Sequence, residues 1–530
     1  MTAASGNVRR KAARLVRLGL PGAVVLLVLA VTVAVFVSSR PAVAARRGAD
    51  SWVTSWGASP QPAGRGAPAA GFDDQTIREV IFTSIGGDPI RLELTNLYGT
   101  GPLRVGRVTV AVAGPDAAVQ PGTIHPVTFG GSASFLIPAG AQILSDPVAM
   151  RVRPLQDLAV SVYLPGRTGA ATVHAWAQEV NWVSAPGDHT ADGGAGAFGV
   201  PTRSWYYVSD LLVRSPGAAG TVVALGDSIT DGVGSTVGTD ARWPNDLARR
   251  LNALGGPALA VADEGIGGNR VLTGARCCGV SAEARFALDA LDQPGVRDII
   301  VLEGINDIGF TSRLPDPRTH VSAAPIIAGY RRLIAQAHAR GLKIFGATLL
   351  PFQGAWTYTA AAEATREAVN TWIRTSGAFD GVIDFDAAMR DPAGPLRLNP
   401  GYDSGDHLHP NDAGYQAMAD AVDLAMLTGT PETPGLTVEL DASEKGPLGK
   451  QDRRLHKGVP VMKLSARNQI PARVTSVNRG EAIANVELDA GGVRLVASVT
   501  VEAVRELGLA EGSQVIAVIK ASDVIVATSD

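Results

Sequence analysis

Cysteine is almost missing from this chain. Its 530 residues hold two, Cys277 and Cys278, side by side. Neighbouring cysteines cannot staple distant parts of a fold, and they can bond each other only through a small strained ring. Two thiols also fall short of the ligand set of a structural zinc site. The simpler reading is two small, part-buried residues in a loop. Lysine is scarce too. Lys11 and Lys343 stand alone before residue 440, whereas Lys445, Lys450, Lys457, Lys463 and Lys520 follow it. That skew sets the C-terminal stretch apart as a module of different history. A formal net charge of −3 gives no general pull toward nucleic acid or anionic membranes. The length exceeds what one hydrophobic core supports, so about two to four domains are expected.

Long apolar runs are also rare, and the main one lies near the start. Arg9, Arg10, Lys11, Arg14 and Arg17 form a basic flank, an apolar run covers Leu18 to Val37, and Ala42-Val43-Ala44 offers a small-x-small cleavage site. Residues 1–44 are therefore expected to be an export signal, which makes the protein secreted or cell-surface. The run is long enough to span a bilayer, so an uncleaved anchor is the competing reading. Pro21, which interrupts its start, favours cleavage. No cysteine follows the run to take a lipid.

Residues 51–216 read as β structure. Alternating runs at Glu79–Ser84, Ile90–Leu94, Arg107–Ala113, Ala149–Val152 and Leu158–Tyr163 are separated by Gly, Pro and Asp clusters. This spacing predicts a β-sandwich or jelly roll. Trp52, Trp56, Trp176 and Trp182 could line a sugar platform, but packing is the commoner role of tryptophan in such a fold.

Residues 217–430 change period. Strand patterns at Thr221–Leu225, Leu259–Ala262, Asp298–Leu302, Lys343–Leu349 and Val382–Phe385 alternate with helical ones. The helices fall at Trp243–Leu254, Ala282–Leu291, Pro325–Arg340, Ala360–Ile373 and Asp412–Leu427. Such alternation predicts a parallel sheet covered on both faces, with function on loops at the carboxyl ends of the strands.

Four polar motifs sit at those ends. Gly226-Asp227-Ser228-Ile229-Thr230 can present a serine hydroxyl at the sheet edge, although Asp-Ser before a helix is also a plain cap. Thr230 stands where a nucleophile elbow would have its second glycine. Gly265-Ile266-Gly267-Gly268-Asn269-Arg270 lacks the spacing of a dinucleotide loop. In Gly304-Ile305-Asn306-Asp307 the Asn306 amide can donate to a developing oxyanion, although Asn-Asp is also a common turn pair. In Asp406-His407-Leu408-His409-Pro410, Asp406 can hold the His409 imidazole in one tautomer, leaving it as base for Ser228. His407 beside His409 suggests a metal, but no carboxylate-rich motif accompanies the pair.

These four motifs, in this order from Thr221 to Thr428, resemble the GDSL, or SGNH, hydrolase family. The resemblance implies a flavodoxin-like α/β fold and Ser228 as nucleophile, with Asp406 and His409 completing a triad. It also implies an oxyanion hole of the Ser228 N–H, the Gly268 N–H and the Asn306 side chain. No cofactor or metal is implied for the hydrolase. The expected substrate is a carboxylic ester of a lipid or an acylated carbohydrate.

Residues 431–461 are rich in Pro, Gly and charge and read as a linker. Residues 462–530 carry short alternating strands at Ala472–Val477, Ile483–Leu488, Val493–Val499 and Val515–Ile519. The segments Leu464–Gln469 and Val518–Val524 resemble the Mop, or TOBE, domain of molybdate-binding proteins, an OB-like β-barrel. The resemblance implies oxyanion binding by Ser465, Arg467, Asn468, Lys520 and Ser522, with molybdate as the ligand. A ligand-free barrel that serves homo-oligomerisation is the alternative. For the whole chain, an inactive surface binding protein on a hydrolase scaffold competes with an exported esterase; the intact Ser228, Asn306, Asp406 and His409 favour catalysis.

Overall fold

The computed structural model describes residues 52–64, 70–429, 468–479, 483–489, 494–500, 504–505 and 509–519. The expected signal at 1–44 and the linker at 431–461 lie outside them. Among the described residues no helix is long and apolar enough to cross a membrane.

The first region is antiparallel throughout. A six-stranded sheet runs in the order Val200–Thr202, Asn181–Pro186, Gln75–Thr83, Gln156–Leu164, Arg107–Val112, His125–Val127. A four-stranded sheet runs Trp52–Gly57, Val208–Arg214, Ile90–Thr95, Gln142–Leu144. Alternation puts Ile77, Ile81, Val160 and Val162 of the larger sheet and Leu92, Leu94, Leu211 and Val213 of the smaller one in a single core. A short sheet of Gln61–Pro62, Thr172–His174 and Trp205–Tyr206 stands beside them. The expected strand Ala149–Val152 forms only an isolated bridge, Val152 to Gly87. Of the four tryptophans, Trp56 is buried edge-on to Trp205, and Arg91 stacks on Trp52. Trp182 lies within the sheet, and Trp176 is 52% exposed.

The second region is a five-stranded parallel sheet. Its order is Leu259–Gly265, Gly220–Gly226, Val296–Leu302, Lys343–Ala347, Gly381–Ile383. The chain order 2-1-3-4-5 is flavodoxin-like, and its direction reverses at Gly220–Gly226. The helices Trp243–Ala253, Ala323–Ala339 and Ala360–Thr375 cover it with one apolar face each. Several expected elements end elsewhere: the strand from Lys343 stops at Ala347, and the α-helix from Ala282 gives way to a π-helical turn at Ala287–Leu291. The helix of Asp412–Leu427 stops at Ala421, because Val422 is extended and Asp423 caps a separate turn at Leu424–Thr428. Val382–Phe385 is a strand only to Ile383, since Asp384 accepts from the Ala387 N–H and starts the helix Phe385–Met389.

Hydrogen bonds stitch the two regions together. The Thr54 N–H donates to Pro294 O at 3.0 Å and lies 3.1 Å from Thr221 Oγ1. Val261 N donates to Ser84 Oγ at 2.9 Å, and Asn252 Nδ2 to Ser84 O at 2.8 Å.

The C-terminal described residues form an antiparallel sheet in the order Arg494–Thr500, Ile483–Asp489, Asn468–Arg479, Gln514–Ile519. Ala472, Val474, Val486, Leu488 and Val504 make its small core. Pro471 lies inside a strand, opposite Ile516.

Candidate active site

The nucleophile position is set by backbone constraints. A Cβ on Gly226 would lie 2.2 Å from Thr230 Oγ1 and 2.5 Å from Leu302 O, so only glycine ends this strand. Asp227 then caps the single turn Ser228–Asp231 by accepting from the Ile229 N–H at 3.0 Å. Ser228 takes the first helical position, where its N–H has no intrahelical acceptor. Burial pushes the Asp227 carboxyl up to about 7, against the Ile229 N–H and the charge of His409.

His409, the candidate base, arrives on the loop before the helix Asp412–Ala421. His409 Nε2 lies 2.8 Å from Ser228 Oγ, and its Nδ1 2.5 Å from Asp406 Oδ2. A carboxylate only accepts, so Nδ1 carries the proton and Nε2 accepts from the serine hydroxyl. Asp406 Oδ1 takes the Leu408 and His409 N–H groups at 2.9 and 2.8 Å. Its partial burial works to raise the Asp406 pKa. The His409 ring and those two N–H groups outweigh burial and hold the carboxyl well below the usual range. His407 is turned elsewhere: its φ is 65°, and its Nδ1 sits 2.6 Å from Asp403 Oδ2. No group of three or more metal-ligating side chains occurs among the described residues.

The side-chain and backbone donors expected of an oxyanion hole are left without acceptors among the described residues. The Asn306 Nδ2 is buried and has no hydrogen-bond acceptor among the described residues. A buried amide donor left unpaired is costly, unless a ligand atom completes it. The Gly267 N–H is already committed to Asp231 Oδ2 at 2.8 Å, whereas the Gly268 N–H takes no acceptor among the described residues. Gly268 has φ 75°, and a Cβ there would lie 2.8 Å from Cys278 Sγ.

The scaffold behind these donors comes from residues that the motifs did not single out. Asp307 accepts from Val271 N and Leu272 N at 2.7 and 3.1 Å, which ties the glycine loop to the helix bearing Asn306. Burial pushes Asp307 up to about 6 despite those bonds. Arg285 donates to Asn269 Oδ1, Gly226 O, Glu264 O and Ser59 Oγ, so it ties both strand-end motifs to the antiparallel region. The available signal was a lone buried-period arginine in a helix. Cys277 and Cys278 lie in a loop and are bonded to each other, a pairing that the sequence leaves open. Asn269 Nδ2 pins their loop through Cys278 O and Val280 O, both at 2.7 Å. Trp176 stands against Gly267, whose Cβ position is 3.0 Å from its Cδ1. Trp356, also exposed, packs against Phe310.

At the C-terminal module, Asn468 begins a strand and pairs with Ile519 through the backbone. Ser465, Arg467, Lys520 and Ser522 lie outside the described residues.

A strand-end serine with a histidine on its hydroxyl is an arrangement that can carry out acyl transfer. The chain matches the GDSL-like lipase/acylhydrolase family over residues 224–417 and the TOBE domain over residues 464–526. Over 66 residues it is 39% identical to molybdenum-pterin-binding protein 1 of Clostridium pasteurianum, covering 12% of this chain and 97% of that protein. A molybdate-binding protein from Sporomusa ovata is similar in structure at 36% identity and TM-score 0.12, covering 13% of this chain and 100% of that one. A catalytic mutant of an acetylxylan esterase from Geobacillus stearothermophilus is similar at 23% identity and TM-score 0.31, covering 40% of this chain and 95% of that one. The chain thus carries a GDSL-like lipase/acylhydrolase domain at residues 224–417 and a TOBE domain at 464–526.

Proposed function

We propose that the protein is an exported serine esterase that cleaves acyl or acetyl esters of lipids or carbohydrates. The observation that carries this reading is the Ser228–His409 contact of 2.8 Å beside an unpartnered Asn306 amide. Ser228 Oγ attacks the ester carbonyl while its proton passes to His409 Nε2, and Asp406 stabilises the resulting imidazolium. The carbonyl oxygen becomes an oxyanion between the Ser228 and Gly268 N–H groups and the Asn306 amide. Collapse expels the alcohol, which takes the proton from His409. Water then repeats the sequence on the acyl-enzyme and releases the acid. Export is supported by the basic flank, apolar run and Ala42-Val43-Ala44 in the first residues.

A fluorophosphonate should label Ser228, as located by mass spectrometry, and a p-nitrophenyl ester series should reveal the preferred acyl length. Labelling at another serine, or full activity without Ser228, would overturn the reading. The TOBE domain is proposed to bind a tetrahedral oxyanion such as molybdate through Ser465, Arg467, Asn468, Lys520 and Ser522. Molybdate should then raise the melting temperature of the C-terminal transition, and Arg467→Ala should weaken that rise. Titration calorimetry that detects no molybdate binding by the folded protein would rule this out.

A further inference from the structure

His174 belongs to the antiparallel region, on the strand Thr172–His174, yet its ring is buried against the turn that carries Ser228. Its Nδ1 lies 3.0 Å from the Ser59 carbonyl oxygen, and its Nε2 lies 3.0 Å from Asp231 Oδ1. A carbonyl only accepts, so Nδ1 bears a proton. The carboxylate facing Nε2 already accepts the Gly267 N–H on its other oxygen, at 2.8 Å. A ring between two acceptors is an imidazolium, and the pair with Asp231 is a buried ion pair spanning both regions of the fold. Burial disfavours that charge. Asp231, the Ser59 carbonyl and Asp263 outweigh burial and raise the His174 pKa above the ordinary imidazole value. Asp289 and the guanidinium of Arg285 are the other charges near it from the hydrolase side. Arg242 lies over the Trp205 ring, which also touches His174.

The placement of Asp231 gives the pair a consequence for the reaction. Asp231 is three residues after Ser228 in the same turn, and Gly267 immediately precedes the oxyanion donor Gly268. Two successive glycines leave their shared peptide free to turn over, because no Cβ opposes it. The Gly267 N–H bond to Asp231 fixes the preceding peptide, and so the Gly267 Cα from which the shared peptide hangs. Asp231 can serve only while its own carboxylate is held, and His174 is what holds its outer oxygen.

We propose that His174 is a positioning residue of the esterase site: clamped between Ser59 and Asp231, it orients the carboxylate that anchors Gly267 and so keeps the Gly268 N–H aimed at the oxyanion. This rests on the esterase reading given above. The antiparallel region then supplies a working part of the active site.

The experiment compares two substitutions in the full chain, with p-nitrophenyl acetate as substrate. In His174→Asn the amide can reach Ser59 O but is too short for Asp231. In His174→Gln it can reach Asp231. A lost oxyanion donor costs about 10²–10³ in kcat, and a loosened one a fraction of that. The Asn variant should lose about 30-fold in kcat with KM within about threefold, and the Gln variant should recover to within about fivefold of wild type. In the wild type, kcat should also decline on the alkaline side as the imidazolium loses its proton, a limb that His174→Gln lacks. Unchanged kcat in a folded Asn variant, a change confined to KM, or a Gln variant no better than Asn would each overturn the inference. If the Asn variant does not fold, persistence of the alkaline limb in His174→Gln overturns it instead. Asn306→Ala run in parallel separates the two readings. Its failure to lower kcat removes the oxyanion hole itself, whereas a normal loss there with an unaffected His174→Asn removes only the role of His174.

Discussion

The two sides of the candidate active site are built by opposite means. Around His409 the bonds that shape the loop are local, apart from the contact with Ser228 itself: Asp406 accepts from residues two and three positions on, and Asp403 from Gly405 and His407. These bonds sit on a loop at the surface, where the Asp406 side chain is 51% exposed. Around Ser228 and its donors the restraints are buried and long-range. Arg285 joins residues 226, 269 and 59, and Asp307 reaches Val271. A base that must accept and return a proton tolerates a locally bonded loop. An oxyanion hole must be fixed before charge develops, because its value lies in dipoles that need not reorganise.

Substitutions can break this comparison in order of expected size. Ser228→Ala and His409→Ala should each lower kcat by about 10⁴-fold or more in steady-state ester hydrolysis, since both sides are needed for acyl transfer. Asn306→Ala should cost about 10²–10³-fold in kcat with little change in KM; a pure KM effect would make the residue a substrate contact instead. Gly268→Ala combines a φ of 75° with a Cβ 2.8 Å from Cys278 Sγ. It should lower stability by about 1–3 kcal/mol in denaturant melts and reduce kcat as well. The two sides should also answer pH in opposite senses. Burial pushes Asp263, behind the nucleophile, up to about 7, with Arg242 opposing it. A carboxyl raised in the folded state favours folding below its unfolded value of ~3.9, and that contribution is lost as pH rises toward 7. Thermal melts should show Asp263→Asn less sensitive to pH over that window, by about 2–4 °C for each kcal/mol recovered. Asp406, held low by His409, contributes stability above the ordinary carboxylate range and loses it as pH falls. Asp406→Asn should therefore flatten only the acid end. Equal responses from both variants would erase the distinction between the two sides.

The same contrast explains what was legible in the sequence. The strand-end motifs announced Ser228, Asn306 and the Asp406–His409 pair, because their chemistry is local to a few residues. The parallel sheet was legible from its period, although the ends of elements were moved by caps at Asp384 and Asp423. His174 carried no local signal, since its partner is 57 residues away, and Arg285 meets Ser59 across 226. Adjacent cysteines are compatible with a bond or with two thiols, so the Cys277–Cys278 bond beside Gly268 is legible only in the structure. The five candidate oxyanion-binding residues of the TOBE domain rest on sequence motifs, with a backbone position described for Asn468 alone.

The seam at Thr54 has a bearing on how such proteins are made and remade. The strand Trp52–Gly57 pairs with Val208–Arg214 and hydrogen-bonds to Pro294, so a chain emerging from its N-terminal end cannot close this seam until residue 294 is available. A genetic crossover near residue 216 would separate two surfaces fitted to each other, exposing Thr54, Ser84 and Ser59 to strangers. Recombination, in nature or in a directed library, is therefore expected to transmit residues 52–428 as one indivisible block. Exchange of foreign modules would be confined to the segments on either side of it.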